Sequence, residues 1–108
     1  MNEVQHITDA NFDEMIVKGG KPALVDIGAT WCGPCKALEP SIAALAKEYG
    51  DRVTVGKLDV DEAPKIAQQF GVMGVPTVIF MKNGKEVYRF VGTQSKERIA
   101  DLIQDHLL

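Results

Sequence analysis

A chain of 108 residues, 45% hydrophobic and 25% charged, has an ordinary soluble composition and room for one core, so a single domain over residues 1–108 is expected. The formal charge of −3 gives no basic footprint, which argues against nucleic acid as a ligand. No stretch nears the ~20 apolar residues of a membrane span, and the opening MNEVQHITDANFDE lacks the basic and apolar parts of a leader. The expectation is a cytoplasmic protein, off the membrane, in a compartment that keeps thiols reduced.

In chain order, Val4–Ile7 reads as a short first strand. Thr8 or Asp9 can cap a helix whose Phe12, Met15 and Ile16 share a face at i, i+3, i+4 spacing, and Gly19-Gly20 ends it. Ala23–Ala29 is apolar on both faces apart from Asp26, the pattern of a central buried strand. A long helix should run from about Cys32 to Tyr49, with Pro34 tolerated in its first turn and Pro40 kinking it. Val53–Leu58 follows as a strand, then a short helix from about Pro64 to Phe70, stopped by Gly71. Thr77–Met81 and Glu86–Val91 flank Lys82-Asn83-Gly84-Lys85, a strong hairpin signal. Ser95 caps a last helix with Ile99, Leu102 and Ile103 on one stripe. This order, β α β α β α β β α, predicts an α/β fold: a central mixed sheet flanked by helices on both faces.

The only two cysteines, Cys32 and Cys35, stand in IGATWCGPCK. As a staple they would close a loop so short that it stabilises by only ~2 kcal/mol. As a zinc site they lack a second pair, and His6 and His106 lie near the termini, where solvated surface histidines are expected, so no metal is predicted. A redox couple fits better. Residues i and i+3 of a helix hold their Cβ atoms ~5–6 Å apart, slightly longer than a disulfide needs, so a bond can form with small adjustment and break again. Cys32 would meet the positive end of the helix dipole, which favours its thiolate by ~0.3–2 kcal/mol. Cys35, a turn further in, should feel less of that field and more burial. Cys32 should therefore attack and Cys35 resolve.

WCGPCK after an Asp-containing apolar strand, together with Pro40, KLDVDE at 57–62, GVPT at 74–77, KNGK at the hairpin and FVG ending at Gly92, resembles the thioredoxin family over nearly the whole chain. The resemblance implies the thioredoxin fold and a monomeric protein-disulfide reductase without a resident cofactor. It implies that Asp26 exchanges protons with Cys35 through water and that Lys57 tunes Asp26. It also implies a cis Pro76 facing the cysteines, Val75 offering its backbone to an extended substrate, and a flat docking surface made by Trp31, Gly33, Pro34, Gly74 and Gly92. Taken alone, Asp26 reads equally as a strand-end carboxylate touching solvent, but a carboxylate among Leu24, Val25 and Ile27 loses hydration, which raises its pKa toward the range of a general acid or base. Since the sequence has no nucleotide-binding fingerprint, a separate thioredoxin reductase should recharge the dithiol, and disulfide-containing proteins should discharge it. With Gly and Pro between the cysteines, no imidazolium stabilises the thiolate, which favours the reducing direction.

Three rivals remain at this stage: an oxidase or isomerase of an oxidising compartment, a scaffold whose cysteines are incidental, and a metal-binding module. One departure stands out. Thioredoxins usually carry an aromatic pair after the strand aspartate, and this chain has Ile27 and Gly28. Gly28 should leave either repacked neighbours or a looser, wetter site around Asp26 and Cys35.

Overall fold

The computed structural model describes residues 2–108. Strands β1 (Gln5–Ile7), β2 (Ala23–Gly28), β3 (Thr54–Asp59), β4 (Thr77–Lys82) and β5 (Lys85–Val91) form one sheet in the order β1-β3-β2-β4-β5. β1, β3 and β2 run parallel; β4 and β5 are antiparallel additions. Helices α1 (Gly33–Tyr49), α2 (Pro64–Gln69) and α3 (Lys96–Leu107) complete the expected layers. Among the described residues, no helix is long and apolar enough to cross a membrane.

The period of two along β2 sorts its side chains between two cores. Ala23, Val25 and Ile27 pack with Phe12, Ile16, Ala63 and Ile66 on one face. Leu24 packs with Leu38, Ile42 and Leu45 of α1 and Ile99, Leu102 and Ile103 of α3 on the other. Alternation therefore turns Asp26 and Gly28 toward α1, the helix that begins just after Cys32. That single fact assembles the site.

Several boundaries and caps differ from expectation. β1 begins at Gln5 and β3 is Thr54–Asp59, each within a residue or so of its predicted start. The first helical segment is a π-helical turn, Asp13–Val17, without a side-chain cap. Thr8 closes a preceding turn instead, exchanging hydrogen bonds with Asn11 (Asn11 N–H to Thr8 Oγ1 at 3.2 Å, Thr8 N–H to Asn11 Oδ1 at 2.7 Å). Asp9 caps a different helix. Its carboxylate accepts the Lys65 and Ile66 N–H groups at 3.2 and 2.9 Å, serving α2, whose own N-cap residue, Ala63, has no side-chain acceptor. Ser95 does cap α3, accepting the Arg98 N–H at 3.1 Å. Asn83 and Gly84 both take positive φ, 55° and 76°, as the tight hairpin requires. α1 continues through Pro40 to Tyr49. His106 is not a free surface histidine: its ring stacks on Tyr88 with centroids 4.3 Å apart. His6 is exposed and lies 2.5 Å from Glu62.

Candidate redox site

Cys32 and Cys35 are joined in a disulfide, with Cα atoms 5.3 Å apart. Cys32 is the N-cap of α1, in extended backbone (φ −98°, ψ 112°), and its Sγ accepts the Cys35 N–H at 3.2 Å. Because Cys32 precedes the helix rather than belonging to its first turn, the pair escapes the wider spacing of two helical residues. Pro34 fits this first turn, where its missing N–H breaks no helical bond. The cap places a sulfur against the unpaired N–H groups and positive dipole of a 17-residue helix. Burial does not separate the cysteines as expected: they are 6% and 5% exposed. What separates them is surroundings.

On the Cys32 side, Sγ lies 3.8 Å from the Val75 carbonyl oxygen, and the Val75–Pro76 peptide is cis. Next to it, Trp31, Val60, Ala67, Val72, Met73, Gly74 and Val75 line an open, mostly apolar groove of about 400 Å³. Trp31 is 68% exposed and Met73 fully exposed; the Trp31 indole is steadied by donating Nε1–H to Asp61 at 2.9 Å. Gly33 and Pro34 are exposed at the start of α1, and Gly92, at φ 92°, donates its N–H to the Pro76 carbonyl at 2.8 Å. The groove thus joins Trp31, Gly74 and Val75 directly, with Gly33, Pro34 and Gly92 outside its lining. Met73, Val72, Val60 and Ala67 were not legible as site residues, because their apolar character is equally that of a core.

Asp26, on the face of β2 turned toward α1, is 2% exposed, and its Oδ1 has no hydrogen-bond partner among the described residues. Burial pushes its carboxyl from an ordinary 3.8 up to about 6; the Lys57 ammonium pulls it down and Glu39 pushes it up, both more weakly. Lys57 is the register partner of Asp26 across β2 and β3, yet its Nζ donates to Glu39 of α1 at 2.5 Å. Glu39, unnoticed in the sequence, spends part of the lysine's charge. Gly28, Ala29, Thr30, Cys35, Lys36, Glu39, Lys57 and Asp59 enclose a cavity of about 300 Å³. A Cβ on Gly28 would lie 3.2 Å from both Cβ and Sγ of Cys35. That is closer than ordinary van der Waals contact, so the Cys35 side chain already occupies part of the space that a side chain at position 28 would take. Cys35 packs against Gly28, while a cavity remains beside the pair.

Comparison with known proteins agrees with this geometry. The family model described as "Thioredoxin" matches residues 3–105. The chain is similar to "Thioredoxin" of Alicyclobacillus acidocaldarius subsp. acidocaldarius, 46% identical over 101 residues that cover 94% of this chain and 95% of the relative. It is similar to "Thioredoxin" of Haemophilus influenzae, 40% identical over 107 residues covering 99% and 100%. With "Thioredoxin M-type, chloroplastic" of Spinacia oleracea it shares 41% identity over 107 residues, which span 99% of this chain and 59% of that protein.

Proposed function

Since the chain belongs to the thioredoxin family and is a thiol–disulfide oxidoreductase with a protein-disulfide reductase role, we propose that its dithiol works by a divided mechanism. The Cys32 thiolate attacks one sulfur of a target disulfide, forming a mixed disulfide and releasing the first target thiolate. Cys35, losing its proton to Asp26 by way of water, attacks Cys32 Sγ and expels the second target thiolate. Two electrons pass to the target, and the Cys32–Cys35 bond closes. A separate thioredoxin reductase returns both electrons.

The observation that carries this reading is the capping bond from the Cys35 N–H to Cys32 Sγ. A sulfur held at a helix N-terminus is favoured as thiolate, and the thiolate is the nucleophile. Asp26, raised to about 6, can both accept and return a proton near neutrality. Lys57 tunes it, in opposition to Glu39. Trp31, Gly74, Val75 and Pro76 receive the extended chain beside the target disulfide, with Val75 offering its backbone, while Gly33, Pro34 and Gly92 complete the docking surface. The thiols themselves carry the electrons, so no resident cofactor is needed. A monomer suffices, because one chain supplies nucleophile, resolver and proton acceptor. Donating electrons to disulfides requires a reducing pool, which supports a cytoplasmic setting.

The test is reduction of insulin disulfides with dithiothreitol as donor. The protein should accelerate reduction well above donor alone, and the Cys32→Ser, Cys35→Ser double variant should not. Equal rates with and without the protein would refute the proposal.

A further inference from the structure

Resting on the redox reading above, we propose that Arg89, aimed by Glu86, is a positioning residue for target binding: it braces the loop of residues 71–76 that offers its backbone to an extended protein substrate. That loop joins the end of α2 to β4 and supplies Val72, Met73, Gly74 and Val75 to the groove lining. Its fixed points are carbonyls. The Pro76 carbonyl accepts the Gly92 N–H at 2.8 Å, and the Gly74 carbonyl accepts the Thr77 hydroxyl at 2.6 Å. Upstream, Arg89 Nη2 donates to the Phe70 carbonyl at 2.8 Å. Phe70 closes α2, and a carbonyl at a helix end has no partner within the helix. The next residue, Gly71, turns at φ 61°, so the brace sits where the loop departs.

The brace depends on an irregularity in β5. Residues three apart on a regular strand face opposite sides of the sheet. In β5, Glu86 pairs with Met81 and Tyr88 with Phe80, so Val87 is an extra residue, a β-bulge. The bulge offsets the alternation by one and turns Glu86 to the same face as Arg89. On that face their β4 partners, Met81 and Ile79, pack with Ala63 and Ile66 beside α2. Glu86 accepts there from Arg89 Nε at 2.5 Å and from Nη2 at 2.7 Å, a fork that fixes the guanidinium in direction as well as place. Nη2 carries two hydrogens, one for Glu86 and one for the Phe70 carbonyl. Losing Arg89 frees that carbonyl, and losing Glu86 leaves Arg89 unaimed. Either change lets the groove side of the loop shift against Cys32, whose Sγ lies 3.8 Å from the Val75 carbonyl oxygen. A protein substrate that lies along the loop feels that shift, whereas a small disulfide that meets only the sulfur does not.

The experiment compares KM and kcat for insulin, with dithiothreitol as donor, against the rate at which the reduced protein attacks dithiodipyridine, a small neutral disulfide. Arg89→Ala should raise the insulin KM roughly fivefold with kcat nearly unchanged, and should leave the dithiodipyridine rate close to that of the parent. Its amide NMR signals should move at Met73, Gly74 and Val75 and stay in place along α1. Arg89→Lys, which keeps a donor but not the fork, and Glu86→Gln, which keeps one acceptor oxygen, should fall between; they carry the same comparison if Arg89→Ala does not fold. Glu86→Ala combined with Arg89→Ala should be no worse than Arg89→Ala alone, because the carboxylate acts only through the guanidinium. A parental insulin KM in Arg89→Ala, additive losses in the double variant, or equal losses toward insulin and dithiodipyridine would overturn the brace. Failure of the parent protein to accelerate insulin reduction would instead count against the function proposed above.

Discussion

The two sides of one disulfide could hardly differ more. Around Cys32 the protein is apolar, open and shaped by exposed side chains and loop backbone: Trp31, Met73, Gly74, Val75. Around Cys35 lies a cavity shared with Lys36, Asp59 and the Lys57–Glu39 ion pair, with Asp26 buried on the same face of β2. Both sulfurs are almost equally covered, so accessibility of the atom is not what distinguishes nucleophile from resolver. The difference lies in the surroundings, and on the mechanism proposed above one side would receive the target chain and the other would move the proton.

The sharpest way to break this contrast is to neutralise the Cys35 side. Asp26 has a folded-state pKa above its unfolded value, so the folded protein holds the proton more tightly between about 4 and 6. Its contribution is therefore most favourable below 3.8 and is lost as pH rises through about 6. The difference between 3.8 and about 6 corresponds to a penalty of ~3 kcal/mol at pH 7. Asp26→Asn should raise the melting temperature at pH 7 by roughly 10 °C or more and flatten its dependence on pH between 4 and 6. The same variant should slow the resolving step by up to ~10²-fold, a trade of activity for stability. Melting curves and stopped-flow release of target thiol check the two halves.

Damage to the Cys32 side should look different. Trp31→Ala removes an exposed aromatic anchor of the kind that contributes ~2 kcal/mol or more to an interface. KM for a protein disulfide should rise by roughly 30-fold, with little change in melting temperature and none in the pH profile. A matching change in the pH profile would mean that the two sides are not separable. The smallest effect belongs to Glu39→Gln. Releasing Lys57 and deleting a neighbouring negative charge should move the Asp26 titration to lower pH, followed by NMR of the Asp26 carboxyl.

The same division explains what could be read from the sequence. The cysteine spacing, the Ser95 cap, the Asn83-Gly84 turn and the order of strands and helices are written in neighbours along the chain, and each has a local physical cause. The apolar neighbours of Asp26 suggested lost hydration but left open a carboxylate touching solvent at a strand end; its place on the face of β2 turned toward α1 is what buries it. Glu39 escaped notice because only the crossing of α1 over β3 brings it to Lys57. Asp9 was read as a cap for the helix beside it, and its carboxylate instead serves N–H groups more than fifty residues away. His106 was read as solvated, since nothing local reveals the Tyr88 ring across α3 and β5. Gly28 lay between these extremes. Its small size was visible at once, but which neighbour settles against it is a question of packing, and the structure puts the Cys35 side chain there.

The division of labour between the sulfurs is tested most directly by trapping. Each single variant, Cys35→Ser and Cys32→Ser, is incubated with a disulfide-bonded protein substrate and examined by non-reducing electrophoresis and mass spectrometry. Cys35→Ser should accumulate a covalent adduct through Cys32, because attack proceeds and resolution cannot; Cys32→Ser should accumulate little. Adducts of equal yield in both variants, or a predominant adduct through Cys35, would contradict the assignment of Cys32 as the nucleophile toward protein disulfides.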